Sequence, residues 1–393
     1  MTRSARRADR ADDPVVVWLS GAFGYAGALL YFEDIFRGFA QSFPGAVVPV
    51  AGDFPVHRYP GLPLVPLMKF VQLGKMRRRV GEVEYQSVRR FPTPGSLLRI
   101  ARLRPAAVMV TEFSFVALAG FLTAKLAGAR TVVLVESDPA FRGAPASRVA
   151  RTVKGVVARS ADAILVSNAI GARYLTGVLG VPPEKLTIGP YLTSEPTAAT
   201  PAPASTGQGP IRLLFLNSVT RRKGVDQLLR ALAQTDPALR RGWQLDVYGS
   251  GDHEAAAQEL ATRLGLGGQV RFHGRVEYRD AGECYRACDV VVCPTLADYR
   301  SLSGFEAVNA GRPLLISAAD GASDELARLA PAVTVIDPDD TQAFAAALEP
   351  FLSRSAHLRE QQEAALRVPA EFRMASVVGN VRGVVNRVLR RAK

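Results

Sequence analysis

Val290-Val-Val-Cys-Pro-Thr-Leu-Ala-Asp298-Tyr-Arg-Ser-Leu-Ser-Gly-Phe-Glu306-Ala-Val-Asn-Ala-Gly-Arg-Pro-Leu314-Leu-Ile-Ser317 holds two short apolar runs at its ends. Val290–Cys293 and Leu314–Ser317 read as strands covered on both faces, as strands of a parallel sheet are. Between them lie Pro294, a loop rich in Ser and Gly, and a helix expected to start near Gly304. Asp298 and Glu306 stand on either side of seven residues of that loop and helix. Carboxylates accept paired sugar hydroxyls well, and loop amides can receive phosphate oxygens.

The same alternation extends outward in both directions. Arg212–Asn217, Gln244–Tyr248, Val270–His273 and Ala332–Ile336 read as further strands of the second half, with helices between them and helical segments from about Thr341 onward. In the first half Val15–Leu19, Val47–Val50, Val108–Thr111, Thr131–Val135 and Ala163–Val166 read as strands. Ala28–Ala40, Phe115–Leu126, Ser147–Arg159 and Ala169–Leu179 read as helices. Residues 195–210, EPTAATPAPASTGQGP, have no periodicity and read as a linker. The expected organisation is a mobile tail over 1–13, one doubly wound α/β domain over 14–194, the linker, a second such domain over 211–370 and a C-terminal helix over 371–393. Ligands of open α/β sheets lie beyond the carboxyl ends of the strands, so the cleft between the two domains is the expected site.

Composition narrows the class. The chain has 393 residues, 48% hydrophobic and 22% charged, which excludes a collagen, a coiled-coil rod or a wholly disordered chain. No apolar run reaches the ~20 residues that a spanning helix needs, and the polar N-terminus lacks the apolar core of a secretory signal. The net charge of +13 is uneven: residues 1–200 hold 25 Lys and Arg against 14 Asp and Glu, the remainder 24 against 22. An anionic partner for the first half follows, without any motif that reads nucleic acid. Cys284, Cys288 and Cys293 are too few for a zinc site and read as reduced, buried thiols of a cytoplasmic protein.

Several segments of the second half could meet an anionic ligand. Arg222 and Lys223 precede the helix that begins at Val225, so two cations and a helix N-terminus share one turn. Val247-Tyr248-Gly249-Ser250-Gly251 ends one strand in a glycine turn, and Phe272-His273-Gly274 ends another. Asp337-Pro-Asp339 is placed before a helix, where carboxylates act as caps and not as metal ligands.

Taken in order, Lys223-Gly224, Tyr248-Gly-Ser-Gly251, Phe272-His-Gly274, Cys288-Asp-Val-Val-Val-Cys-Pro294, Asp298-x7-Glu306 and Ala307-x-x-Ala310-Gly-Arg-Pro313 resemble the family-4 type, group 1 retaining nucleotide-sugar glycosyltransferases. The resemblance covers roughly residues 160–335, and Ala161–Ser167 and Gly180–Lys185 are similar to the segment before that family's linker. It implies the GT-B fold, two Rossmann-like domains facing across a cleft. It implies transfer of a sugar, with retention, from a nucleotide-diphosphate donor to a sugar, lipid-linked or small-molecule acceptor; with Asp337 and Asp339 read as caps, cations and amides are expected to offset the phosphate charge, and no metal or other cofactor is expected. Glu306 would bind the ribose and Asp298 the donor sugar. Lys223 with Arg222 would bind the diphosphate, helped by the backbone around Ser301, Ser303 and Gly304. Gly249, Gly251, His273 and Gly274 would let the nucleotide approach, and Gly24 and Gly27 of the loop after the first strand would face the donor and acceptor.

Three positions depart from the family pattern. Ser218 stands where many members have Arg, Asp298 is shorter than the usual Glu, and Glu112 ends the strand after which a His is common. Glu112 therefore becomes a catalytic candidate, with Glu136 and Asp138 as acceptor-side candidates. An epimerase, a hydrolase or a non-catalytic partner subunit would share the fold. Finally, Pro60–Leu73 is apolar, too short to span a bilayer, and runs into Lys75, Arg77, Arg78, Arg79, Arg89 and Arg90. This pairing is expected to dock at an anionic membrane, placing the protein at its inner face.

Overall fold

The computed structural model describes residues 13–21, 32–80, 83–137, 147–195, 209–239 and 242–391. The strands are β1 Val16–Ser20, β2 Ala46–Ala51, β3 Leu64–Met68, β4 Phe70–Val80, β5 Val83–Pro92, β6 Ala107–Thr111, β7 Arg130–Val135, β8 Ala163–Val166, β9 Leu186–Ile188, β10 Ile211–Leu216, β11 Trp243–Tyr248, β12 Val270–Gly274, β13 Val290–Cys293, β14 Leu314–Ser317 and β15 Val333–Ile336.

The first sheet runs β3-β2-β1-β6-β7-β8-β9 and the second β12-β11-β10-β13-β14-β15. All pairings within both are parallel. In each sheet the order reverses beside the first strand, at β1/β6 and β10/β13, which opens a crevice at the carboxyl edge there. The apolar runs explain the burial: β1, β6, β8, β13 and β14 are buried at every residue. The expected strands and helices are present to within a few residues; the first helix is described over Glu33–Ser42, the beginning of the expected one at 28–31 lying outside the described residues, and the fourth is split into Ala169–Arg173 and a π-turn over Tyr174–Val178.

Two features correct the sequence reading. The apolar segment over 60–73 does not form a free patch: Leu62, Leu64 and Met68 are buried, and Leu64–Met68 is the edge strand β3. Pro66 is tolerated there because an edge strand has one side without ladder bonds. After it, β4 and β5 form an antiparallel hairpin outside both large sheets.

The C-terminal helix, Met374–Arg390, is not a separate appendage. Its Val377, Val381, Val384, Val385 and Val388 join the core of the first sheet, together with Trp18, Phe36 and Phe39. The chain thus crosses between the domains twice. The three thiols are free and buried, pushed up to about 11 for Cys284 and about 12 for Cys288 and Cys293, chiefly by burial. Asp337 accepts the Asp339 amide at 3.0 Å in an exposed turn, while Asp340 caps the helix Thr341–Leu348. Among the described residues no helix is long and apolar enough to cross a membrane.

Candidate functional site

The carboxyl edge of the second sheet frames a cavity of about 480 Å³. Its floor begins where β10 ends. Asn217 and Ser218 lead into a tight turn over Arg221–Lys223, and Gly224 closes it at φ +74°. A side chain on Gly224 would stand 1.9 Å from the Pro294 carbonyl oxygen, so only glycine lets this turn sit on the end of β13. The Leu296 amide then donates to the Arg222 carbonyl at 2.8 Å. Two loops from neighbouring strands are locked together, and the cations are fixed between them.

Lys223 is not the exposed turn cation that its sequence position suggests; it is 7% exposed. Its Nζ donates to Asp298 Oδ2 at 2.6 Å, and Arg222 Nη1 donates to the same oxygen at 2.7 Å and to the Ala297 carbonyl at 2.9 Å. Burial alone would raise the Asp298 pKa, but Lys223 and Arg222 beside it carry it well below the usual carboxylate range. The acid and the cations assigned to sugar and diphosphate therefore form one cluster on the cavity wall.

Glu306 lies at another part of the wall, on the helix Leu302–Asn309, and is 5% exposed. Its two carboxylate oxygens accept from Ser194 Oγ and Tyr285 Oη, each at 2.7 Å. Burial raises its pKa, and these two hydroxyls oppose the rise. Ser194 is the last residue before the predicted linker; it bonds Glu306 but does not itself line the cavity, whose walls come from the second domain.

Of the other expected residues that are described, Ser301, Ser303 and Gly249 line the cavity and the rest do not. The Ser301 amide is not open to a ligand: it donates to Asp320 Oδ1 at 3.1 Å, and Ser301 Oγ also bonds Asp320. A side chain on Gly304 would face Leu326 and Ile316 in the core. Ser303 lines the cavity, and its Oγ receives the Asn217 side-chain amide at 3.2 Å. His273 pairs its ring with Asp246 at 2.7 Å and stacks on Tyr248 at 4.3 Å, supporting that cavity-lining ring from behind. Gly249 lines the cavity, while Gly274 accepts its amide at 2.7 Å and Gly251 packs on Val219. Gly24, Gly27 and Asp138 lie outside the described residues.

Gly249 gives a sharp test of this packing. It adopts φ +131°, and a Cβ would stand 1.8 Å from the Asn217 carbonyl oxygen. Gly249→Ala should destabilise the protein by about 2 kcal/mol or more, through strain at a special backbone conformation. An unchanged thermal midpoint would show that the loops after β10 and β11 yield easily.

On the first domain, Glu112 directly follows β6 and lies in the left-handed region, at φ +58°. Its Oε1 accepts the Glu136 amide at 2.6 Å, which joins the ends of β6 and β7. Burial pushes Glu112 up to about 7 and Glu136 up to about 8; Arg300 of the second domain opposes the rise of Glu136. Neither carboxyl lines the cavity around Lys223 and Glu306. Both folded pKa values exceed the unfolded value of 4.5, so their contribution to stability is fully present below about 4.5 and is lost progressively as pH rises from there through 7 to 8. Glu136→Gln should therefore gain stability relative to the wild type as pH goes from 5 to 9, read as the difference of thermal midpoints. A difference that does not vary with pH would remove this linkage.

The sequence reading missed the residues that join the two halves. Arg300 is 3% exposed, donates to Glu325 at 2.5 Å and to the Leu192 carbonyl at 2.8 Å, and lies 3.8 Å over the Phe305 ring. Asn168 donates to the Gly321 carbonyl at 2.9 Å. Arg275, which lines the cavity near Tyr278, is a further cation on its wall. These side chains belong to no linear pattern; chain topology alone brings them together.

Comparison with known proteins bears on the family and the fold. Residues 200–368 match the family described as glycosyl transferases group 1, and residues 3–191 match the glycosyl transferase 4-like domain. A D-inositol 3-phosphate glycosyltransferase of Catenulispora acidiphila is 28% identical over 255 residues, 61% of this chain and 60% of that protein. The lipopolysaccharide glucosyltransferase WaaG of Escherichia coli is 30% identical over 144 residues, 36% of this chain and 37% of that protein. Each of these matches spans less than two thirds of the relative's length. Among solved structures, Anabaena HepE in complex with UDP superposes with a TM-score of 0.73 at 15% identity, covering 95% of this chain and 100% of that one. A WaaG structure gives 0.65 at 18% identity, covering 94% and 99%. With both halves matched and both sheets in place, the chain belongs to the group 1, family-4 type glycosyltransferases and has their GT-B fold.

Proposed function

We propose that the protein transfers a sugar from a nucleotide-diphosphate donor to an acceptor hydroxyl with retention of configuration, in the assembly of a polysaccharide, glycolipid or other glycoconjugate. One observation carries the reading: a single cavity offers a buried carboxylate, Glu306, and a fixed cation cluster, Arg222 and Lys223, with Asp298 between those cations. A ribose, a diphosphate and a sugar present the complementary groups. The solved relative HepE, crystallised with UDP and with UDP-glucose, supports a donor of this class.

In this reading the ribose hydroxyls bind Glu306. Lys223 and Arg222 offset the charge on the diphosphate as it departs, and Asp298 holds both them and the donor sugar. Loss of water from the closed cleft strengthens each of these interactions. The bond from the anomeric carbon to the phosphate oxygen breaks, and its electron pair leaves with the diphosphate. The acceptor oxygen bonds the same face of that carbon, and its proton passes to the leaving phosphate. The acceptor enters from the first domain, where Glu112 and Glu136 close the strand ends. The enzyme works in the cytoplasm, where its three free thiols remain reduced.

Product analysis tests the proposal. Donor sugar and acceptor should yield nucleoside diphosphate and a glycoside of the donor's own anomeric configuration, read by NMR. Free nucleoside diphosphate with no glycoside would make the protein a hydrolase. Because protein cations face the diphosphate, activity should survive EDTA; its loss and its restoration by magnesium or manganese would contradict the cation assignment.

A further inference from the structure

We propose that the first domain docks on an anionic lipid bilayer through the face formed by the helices Pro94–Arg102, Phe115–Leu126 and Arg148–Ser160. These helices cover one side of the first sheet, where Ile100, Phe121 and Ala158 pack with Leu19, Val110 and Val133. Their outward sides do not look like those of ordinary surface helices.

Arg148–Ser160 is inverted. Its buried residues are only Gly155 and Ala158, while Val149, Val153 and Val156 are 74%, 42% and 54% exposed. Steps of four and three residues put the valines on one stripe. A helix that needed only its own sheet would bury the valines and expose the small residues. Phe115–Leu126 repeats the theme, with Phe115 at 45%, Leu122 at 60% and Leu126 at 81% exposed. Leu98, on the third helix, is 51% exposed.

Charge selects the partner. The three helices contain no Asp or Glu, and they carry Arg99, Arg102, Arg148, Arg151 and Lys154. A second copy of the chain would set these cations against one another. An anionic protein would match the charge but give no general reason for so wide a spread of aliphatic side chains. A bilayer with anionic headgroups takes both, apolar groups at the acyl boundary and cations among the phosphates.

The face also reaches the cleft. Phe115 stacks on Phe91 of β5 at 4.3 Å, and Lys154 Nζ lies 5.7 Å over the ring of Phe113. Phe113 and Phe115 directly follow β6, at the carboxyl edge of the sheet. A lipid-borne acceptor could therefore pass from bilayer to cleft without leaving the surface.

The inference deepens the reading above by naming the partner surface, but vesicle binding is measured without donor or acceptor, so the two can fail separately. The full chain would be sedimented with phosphatidylcholine vesicles, with and without phosphatidylglycerol, at low and high salt. The wild type should bind only the phosphatidylglycerol vesicles and be released by salt. Val149→Ser/Val153→Ser/Val156→Ser and Arg148→Ser/Arg151→Ser should each bind at least about tenfold more weakly, with unchanged circular dichroism because all five positions are exposed. Equal binding by the wild type and both variants, or no binding at low salt, would overturn the assignment. So would a concentration-dependent dimer that the valine variant loses, since the face would then cover a second copy.

Discussion

Lys223→Ala should lower turnover by a factor of about 100 or more, since one preorganised charge aimed at a departing group contributes about 3 kcal/mol. The buried setting sharpens the expectation. Lys223 is held by Asp298 at 2.6 Å on a turn that only Gly224 permits, so its ammonium needs no rearrangement to meet a diphosphate. The variant should also lose stability, by about 2 kcal/mol, because Asp298 then keeps, among the described residues, Arg222 as its one ion-pair partner. Turnover must accordingly be compared well below the variant's thermal midpoint. Near-normal turnover in the folded variant would remove Lys223 from the leaving-group role.

Glu306→Gln and Asp298→Asn should separate binding from transfer. Glu306 faces no cation within ion-pair distance among the described residues and receives two hydroxyls, from Ser194 and Tyr285. Replacing one carboxylate oxygen by an amide sets a donor against those hydroxyl donors and removes an acceptor for the ribose. Affinity for the nucleotide should fall about tenfold or more, a change of ~1.4 kcal/mol, while turnover at saturation falls less. Ser194→Ala should move affinity in the same direction through Glu306. Asp298→Asn weakens the hold on both cations at once, so turnover should fall more than affinity. Isothermal titration with nucleoside diphosphate and steady-state kinetics give the two readouts. The reverse pattern would exchange the roles of the two acids.

Much of this arrangement was legible in the linear chain, for a physical reason. Strands buried on both faces must be continuously apolar, so Val290–Cys293 and Ala163–Val166 stand out without any partner in view. The ordered motifs lie at strand ends, where a parallel sheet collects them. The hairpin of β4 and β5 was invisible because the register shift between Gln72 and Lys75 and the run Arg77–Arg79 interrupt its alternation. Strand β3 was hidden by Pro66, which is acceptable only at an edge that sequence cannot reveal. The valines of Met374–Arg390 announced a buried stripe, but not that its partner is the first sheet. Likewise Asp298 and Glu306 could be named from their spacing, whereas Ser194, Tyr285 and Asp320 are set by contacts across 112, 21 and 19 residues.

The inward-facing acid and cations acquire their meaning from the molecule that spans them. Calorimetric titration of the protein with UDP-, GDP-, dTDP- and ADP-sugars tests that most directly. At least one should bind with a dissociation constant between about 1 μM and 1 mM, the usual range for enzyme substrates, and Glu306→Gln should weaken that same donor. If none binds at millimolar concentration, the cavity is not a nucleotide-sugar site.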